Sequence, residues 1–262
     1  MERIRIIPFL LIHKGGLYKT INFKDAKYVG DPINAVKIFN EKFVDEIFIV
    51  DIDASSMGQE INFKLIKDLA SECRMPMSYG GGVKKASDFE KLVGLGVEKI
   101  AISSAAVNDP SVINEAAEKV GSQSVVVVLD IRKKSFLNKK EMVILNGKKN
   151  TGINPIDFAI NAEKMGAGEI VINSVNSDGT MNGYDLEMIQ DFYEKISTPI
   201  TVLGGAKDFQ NFVDLGKRFP IIGAGAGSLF VFKGKYRAVL INYPSDEEKN
   251  NIINEIRQYH AK

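Results

Sequence analysis

The sequence predicts a single (βα)8 barrel of the TIM-barrel class, spanning residues 1–262 as one domain and built from two similar half-barrels. Three observations carry this. Eight short apolar runs alternate with amphipathic stretches, the pattern of βα units in a parallel sheet. The runs, at residues 4–12, 46–52, 76–79, 98–103, 124–130, 169–174, 200–203 and 220–224, are rich in Val and Ile on both faces, as strands covered by helices must be. Segments also recur: Glu46-Ile-Phe-Ile-Val-Asp51 with Glu169-Ile-Val-Ile-Asn173, Gly80-Gly81-Gly82 with Gly204-Gly205-Ala206, and Ser103-Ser104-Ala105 with Gly227-Ser228-Leu229. Their offsets of 123, 124 and 124 residues are nearly constant, which argues for duplication of a four-unit half.

Helix punctuation fills the gaps. Asp31-Pro32, Asp109-Pro110 and Asn154-Pro155 each place a capping side chain before a proline suited to a first helical turn. Val112, Ile113, Ala116, Ala117 and Val120 then form one apolar stripe, and Ser245 with Glu248 is a capping box. Ile252, Ile253, Ile256 and Tyr259 are the expected buried face of the final helix. Two segments exceed simple connectors. Residues 13–30 carry Lys14, Lys19, Lys24 and Lys27 and read as a long loop, whereas residues 131–153 read as a hairpin insertion with an Asn146-Gly147 turn.

Composition narrows the function. The chain has 262 residues, 45% hydrophobic and 26% charged, with a formal net charge of +1, so neither a nucleic-acid nor a membrane partner is expected. The one cysteine, Cys73, precludes an internal disulfide, suits a cytoplasmic home, and is expected to pack in the core. The N-terminus lacks a signal-peptide pattern. Two histidines, His13 and His260, with no ligand-spaced cluster, predict no metal site, and no cofactor is expected.

The loops after strands 7 and 8 of a barrel commonly hold a phosphate. Here they are Gly204-Gly205-Ala206 and Gly225-Ala226-Gly227-Ser228, whose glycines would let an anion approach the backbone. The repeat implies a second cradle at Gly80–Gly81–Gly82 and Ser103-Ser104, so that an elongated substrate with a phosphate at each end would fit. Asp130 ends the fifth strand and has two readings: a general acid or base, or a structural carboxylate that caps a loop amide or pairs with Arg132 or Lys133. Asp51 holds the like place on the second strand. Lys19 is either a cation that closes over substrate or a solvated surface lysine.

The ordered set Arg5-Ile-Ile-Pro-Phe-Leu, Lys19, Gly30-Asp-Pro, Asp51-Ile-Asp-Ala-Ser, Gly80-Gly-Gly, Ser104-Ala-Ala, Gly121-Ser-Gln, Asp130, Gly166-Ala-Gly-Glu, Ser177-Asp-Gly-Thr and Gly183-Tyr-Asp resembles the cyclase (HisF) subunit family of imidazole glycerol phosphate synthase over essentially the whole chain. The resemblance implies a barrel that pairs through its N-terminal face with a separate glutaminase subunit and receives ammonia through its interior. It assigns Asp130 and Lys19 as catalytic, and Gly81, Gly82, Ser103, Ser104, Asp178, Gly179, Gly204, Gly205, Gly227 and Ser228 as phosphate-binding. Arg5, Glu46, Lys99 and Glu169 become an ammonia gate at the bottom of the barrel. There are departures. The family has a second acid–base aspartate where this chain has Leu11, an asparagine at Ser103, and a serine at Leu203. With Gly15-Gly16-Leu-Tyr-Lys19-Thr, these are similar to the glycosyl amidation-associated (WbuZ-type) branch, which implies ammonia supply for converting a sugar acetamido group to acetamidino by a separate sugar amidotransferase. The true cyclase of histidine biosynthesis is the second reading, and the related sugar isomerase of that pathway, which also wants an aspartate at position 11, the third.

Overall fold

The computed structural model describes residues 4–134 and 139–261. Eight parallel strands close into a barrel: β1 (Arg5–His13), β2 (Ile47–Asp51), β3 (Met77–Gly80), β4 (Lys99–Ile102), β5 (Val125–Lys134), β6 (Glu169–Ser174), β7 (Ile200–Leu203) and β8 (Gly223–Ala226). Each strand pairs with the next, and β8 returns to β1 through Arg5↔Gly223. Helices lie between the strands, the βα alternation that the apolar runs predicted.

Alternation along each strand divides the apolar residues into two cores. On β1, Ile6, Leu10 and Ile12 face outward into the layer between barrel and helices. Ile7 and Phe9 face inward and join Phe48, Ala101, Val126 and Val171 in a compact cluster filling the barrel waist. Phe9 stacks on Phe48 with ring centroids 4.4 Å apart. The last strand lies a few residues later than the apolar run suggested, because its inward positions are glycines. A Cβ at Gly223 would stand 2.0 Å from Thr201 Oγ1, and one at Gly225 would stand 2.6 Å from the Phe9 ring. A strand that makes room for its neighbours' side chains does not read as apolar.

The caps hold with two adjustments. Asp31 accepts from the Asn34 amide to start the helix Pro32–Glu41, and Asn154 accepts from the Ile156 amide to start Pro155–Lys164. The box of Ser245 and Glu248 opens Asp246–His260. After Asp109-Pro110 the helix begins one residue later, at Ser111, whose amide and hydroxyl both donate to Asp109. Ile252 and Ile256 are buried on the final helix, but Tyr259 is exposed, lying against Lys217 rather than in the core. Cys73 is half-buried against the core at the end of Phe63–Glu72.

Residues 13–30 are not a loop. Lys14 and Gly15, both at positive φ, turn the chain from β1 into an antiparallel strand, Gly16–Ile21, and Asn22-Phe23 turn it again into Lys24–Gly30. The other insertion is a hairpin as expected: β5 continues to Lys134 and pairs antiparallel with Lys139–Ile144, after which Asn146-Gly147 leads into Lys149–Asn150. Residues 135–138 of this insertion lie outside the described residues.

These two arms express the half-barrel repeat. Asn22 Nδ2 donates to the Val175 carbonyl (3.0 Å) in the loop after β6. Asn146 Nδ2 donates to the Ile52 carbonyl (2.7 Å) after β2. Positions 22 and 146 are 124 apart and 52 and 175 are 123 apart, so each arm clasps the opposite half through the equivalent bond.

Candidate active site at the C-terminal mouth

The strand ends and their loops enclose one pocket, lined by Lys19, Asp130, Asp178, Gly179 and both glycine-rich turns. Every catalytic and phosphate-binding candidate from the sequence borders it: Gly81, Gly82, Ser103 and Ser104 on one flank, and Gly204, Gly205, Gly227 and Ser228 on the other.

The two flanks are built alike. Gly81 and Gly82 have φ of 117° and 75°, and Gly204 and Gly205 have 98° and 106°. The structural equivalents are thus 81 with 204 and 82 with 205, while Gly80 ends β3 as Leu203 ends β7. Ser103 and Gly227 share an unusual backbone (ψ −74° in both) that starts the short helices at Ser104 and Ser228. Packing adds a need for glycine that the sequence did not show. A Cβ on Gly81 would meet the Asp51 carbonyl at 2.3 Å, and one on Gly205 the Gly183 carbonyl at 2.0 Å. These glycines let neighbouring βα loops pack against each other and so fix the shape of the turn.

Gly227 differs again, because a Cβ there would lie 2.4 Å from Lys19 Nζ. Lys19 is not a solvated lysine. It sits buried on the first arm, donates to the Phe9 carbonyl, and faces Asp178. Burial lowers its pKa to about 8, against the pull of Asp178. Asp178 accepts from Thr20 Oγ1 at 3.1 Å, and burial raises its pKa despite Lys19 and Thr20.

Asp130 takes neither Arg132 nor Lys133 as a direct partner. Arg132 Nη2 donates to the Gly147 carbonyl and Lys133 pairs with Asp185. Asp130 instead accepts from Asn173 Nδ2 at 2.8 Å. Burial lifts its pKa to about 6, with the Asn173 bond opposing and Asp178 adding to the rise. A carboxyl near 6 exchanges protons close to neutrality, as a general acid or base must. Asp51 is occupied otherwise: its Oδ1 accepts from the amides of Asp53 (2.9 Å) and Ala54 (3.1 Å). His13 pairs with Asp53 at 2.7 Å, and His260 is half-buried with its Nε2 at the Gly216 carbonyl.

The repeat also locates what is missing. Leu11 pairs with Val50 across β1 and β2, as Asp130 pairs with Asn173 across β5 and β6. Leu11 therefore occupies the half-barrel counterpart of Asp130, and Leu203 stands beside Asn173. The Asp130–Asn173 pair is polar and its counterpart Leu11–Val50 is apolar.

At the opposite end, the four charged residues meet in a ring. Arg5 bridges Glu46 (3.0 Å) and Glu169 (2.7 Å), and Lys99 bridges the same two carboxylates at 3.1 and 2.8 Å. Thr201 Oγ1 adds a 2.5 Å bond to Glu169. Burial would raise the Glu169 pKa, but Arg5 and Lys99 overcome it and hold the carboxylate below its usual range. The ring is charge-balanced and closed, with the Phe9–Phe48 cluster above it.

Two site residues escaped sequence reasoning. Asn173 was legible in principle, since the inward period of β6 runs Glu169, Val171, Asn173 and a buried amide beside a carboxylate is unusual. Arg237 gave no local signal. It lies on a bend beyond β8, donating to the Gly179 carbonyl (3.0 Å) and Ser228 Oγ (3.2 Å).

Comparison with known proteins agrees with this geometry. The family described as "Histidine biosynthesis protein" matches residues 5–237. A Leptospira interrogans protein named "Putative imidazole glycerol phosphate synthase subunit HisF" is 50% identical over 97% of this chain and 100% of its own. A Vibrio vulnificus protein named "Putative imidazole glycerol phosphate synthase subunit hisF3" is 49% identical over 97% of each. The Lactococcus lactis "Imidazole glycerol phosphate synthase subunit HisF" is 36% identical over 95% of each. A shared barrel, a family match over nearly the whole fold and full-length relatives at these identities agree: the chain belongs to the HisF family of histidine biosynthesis proteins.

Proposed function

We propose that this chain is the synthase subunit of a glutamine-dependent amidotransferase system and receives ammonia from a separate HisH-like glutaminase docked on the N-terminal face. The ring of Arg5, Glu46, Lys99 and Glu169 supports that route, because it closes the barrel floor with a charge-balanced cluster in which Arg5 and Lys99 each bridge both carboxylates. Passage further requires the Phe9–Phe48 stack to shift. The ligand in this reading carries phosphate groups held at the two glycine turns, with Asp130 and Lys19 between them.

The observation that shapes the reaction is Leu11 opposite Asp130. Imidazole ring formation in the family employs an acid on each side, and removing one commonly costs a hundredfold or more. The apolar Leu11 and Leu203 and the Gly15-Gly16-Leu-Tyr-Lys19-Thr segment support the amidination reading: ammonia supplied for acetamido-to-acetamidino conversion on a surface-glycan sugar, with a separate sugar amidotransferase as partner. The retained Asp130, with its pKa of about 6, favours the second reading, a working cyclase of histidine biosynthesis. The two part on one assay. The cyclase substrate is supplied with an ammonium salt at high pH and imidazole product is followed. The amidination reading predicts negligible turnover, and rates of roughly 0.1 s⁻¹ or more, against an enzyme median near 10 s⁻¹, overturn it.

A further inference from the structure

Asn173 is buried, at 5% exposure, and borders the mouth pocket. A carboxylate only accepts hydrogen bonds, so the 2.8 Å contact with Asp130 Oδ1 fixes the amide with Nδ2 toward Asp130 and Oδ1 away from it. That oxygen is buried and has no partner among the described residues. Native structures rarely leave such an acceptor unused. Its position is specific: a Cβ on Gly204 would stand 3.3 Å from it, which puts the oxygen at the edge of one glycine turn and next to Asp130. In the other half Val50 occupies the equivalent place beside Leu11, and the unpartnered buried atom bordering the pocket there, among the described residues, is the Ser103 hydroxyl, at the other glycine turn and not beside Asp130.

We propose that Asn173 is the specificity-determining residue of the mouth: its free carbonyl oxygen, beside the Asp130 carboxylate, selects ligands whose central segment presents a hydroxyl or amine donor. The ligand class is an elongated chain with an anionic group at each end and at least one donor in the middle, turned toward β5 and β6. Its less polar side faces Leu11, Val50 and Leu203. Asn173 also positions Asp130, because the amide bond holds the carboxylate in one orientation toward that same donor. The proposal rests on the reading above that the mouth takes a doubly phosphorylated ligand.

Two bisphosphates of equal length separate the ideas: ribitol 1,5-bisphosphate, with central hydroxyls, and 1,5-pentanediol bisphosphate, with none. Their affinities are measured by titration calorimetry on the full chain and on Asn173→Val, a side chain the fold already accepts at the equivalent Val50. The unaltered chain is expected to bind the ribitol compound about tenfold more tightly. In Asn173→Val that preference falls to within about twofold, through weaker binding of the ribitol compound alone. Asn173→Leu, matching the adjacent Leu203, gives the same collapse and serves if the valine variant does not fold. A ¹³C NMR titration of Asp130 is the independent readout and moves to higher pH in either variant. Equal binding of both compounds by the unaltered chain, or equal weakening of both by the variants, overturns the proposal while leaving the bisphosphate reading intact. Binding of neither compound overturns both.

Discussion

Replacing Asp130 by Asn tests the electrostatics of the mouth quantitatively. The substitution keeps shape, leaves one oxygen to accept from Asn173, exchanges the other for an amide nitrogen and removes the ability to ionise. Burial raises this carboxyl from its ordinary 3.8 to about 6. Each pH unit of displacement corresponds to about 1.4 kcal/mol, so holding the group ionised costs the fold about 3 kcal/mol at pH 7.5. The sign follows from proton counting. Between pH 4 and 6 the folded chain binds more protons than the unfolded one, so this group makes stability fall as pH rises through that window. Asp130→Asn should therefore be more stable than the unaltered chain by about 2–3 kcal/mol at pH 7.5 and nearly equal to it at pH 4. Urea unfolding at the two pH values reads this directly. A stability difference that does not change with pH, or a less stable Asn variant at pH 7.5, refutes the reasoning. A site residue that destabilises its own fold is the expected signature of a group retained for chemistry.

Glu169→Gln leaves Arg5 and Lys99 sharing one carboxylate instead of two, and should cost about 3 kcal/mol at neutral pH. Because the Glu169 pKa is lowered in the fold, its contribution is present above the unfolded value of 4.5 and fades as pH falls through the folded one. The variant's denaturation profile should accordingly lose part of its acid limb. Gly205→Ala sets a methyl 2.0 Å from the Gly183 carbonyl at a φ of 106°, and should lower stability by about 2–4 kcal/mol in urea. Leu11→Asp restores an acid opposite Asp130, and should raise ammonium-dependent imidazole formation by roughly a hundredfold. An unchanged rate would show that a missing acid is not what limits this mouth.

The sequence revealed the barrel because covered parallel strands are apolar on both faces, a signal that survives without knowledge of packing. The ring of Arg5, Glu46, Lys99 and Glu169 came only from the family resemblance, because charged residues at strand starts are usually solvated and carry no signal of their own. The first hairpin was invisible for an electrostatic reason. In Gly16–Ile21 the buried face carries Lys19 as well as Leu17, so hydrophobic alternation fails where the site needs a buried cation. The glycines were found, but the packing that also requires them was not. A sequence shows that no side chain is tolerated and not what would collide with it, which at Gly81 and Gly205 is a neighbouring loop. Asn173 and Arg237 act through partners distant in the chain, and such pairs appear only once the strands are in register. Among the described residues no helix is long and apolar enough to cross a membrane.

In the proposed function two equivalent turns, Gly81-Gly82 with Ser104 and Gly204-Gly205 with Ser228, hold the two anionic ends of one ligand. A crystal structure determined in inorganic phosphate tests it most directly. Two phosphate ions are expected, one at each turn and related by the half-barrel symmetry. Phosphate absent from either turn, or bound only elsewhere on the surface, would contradict it.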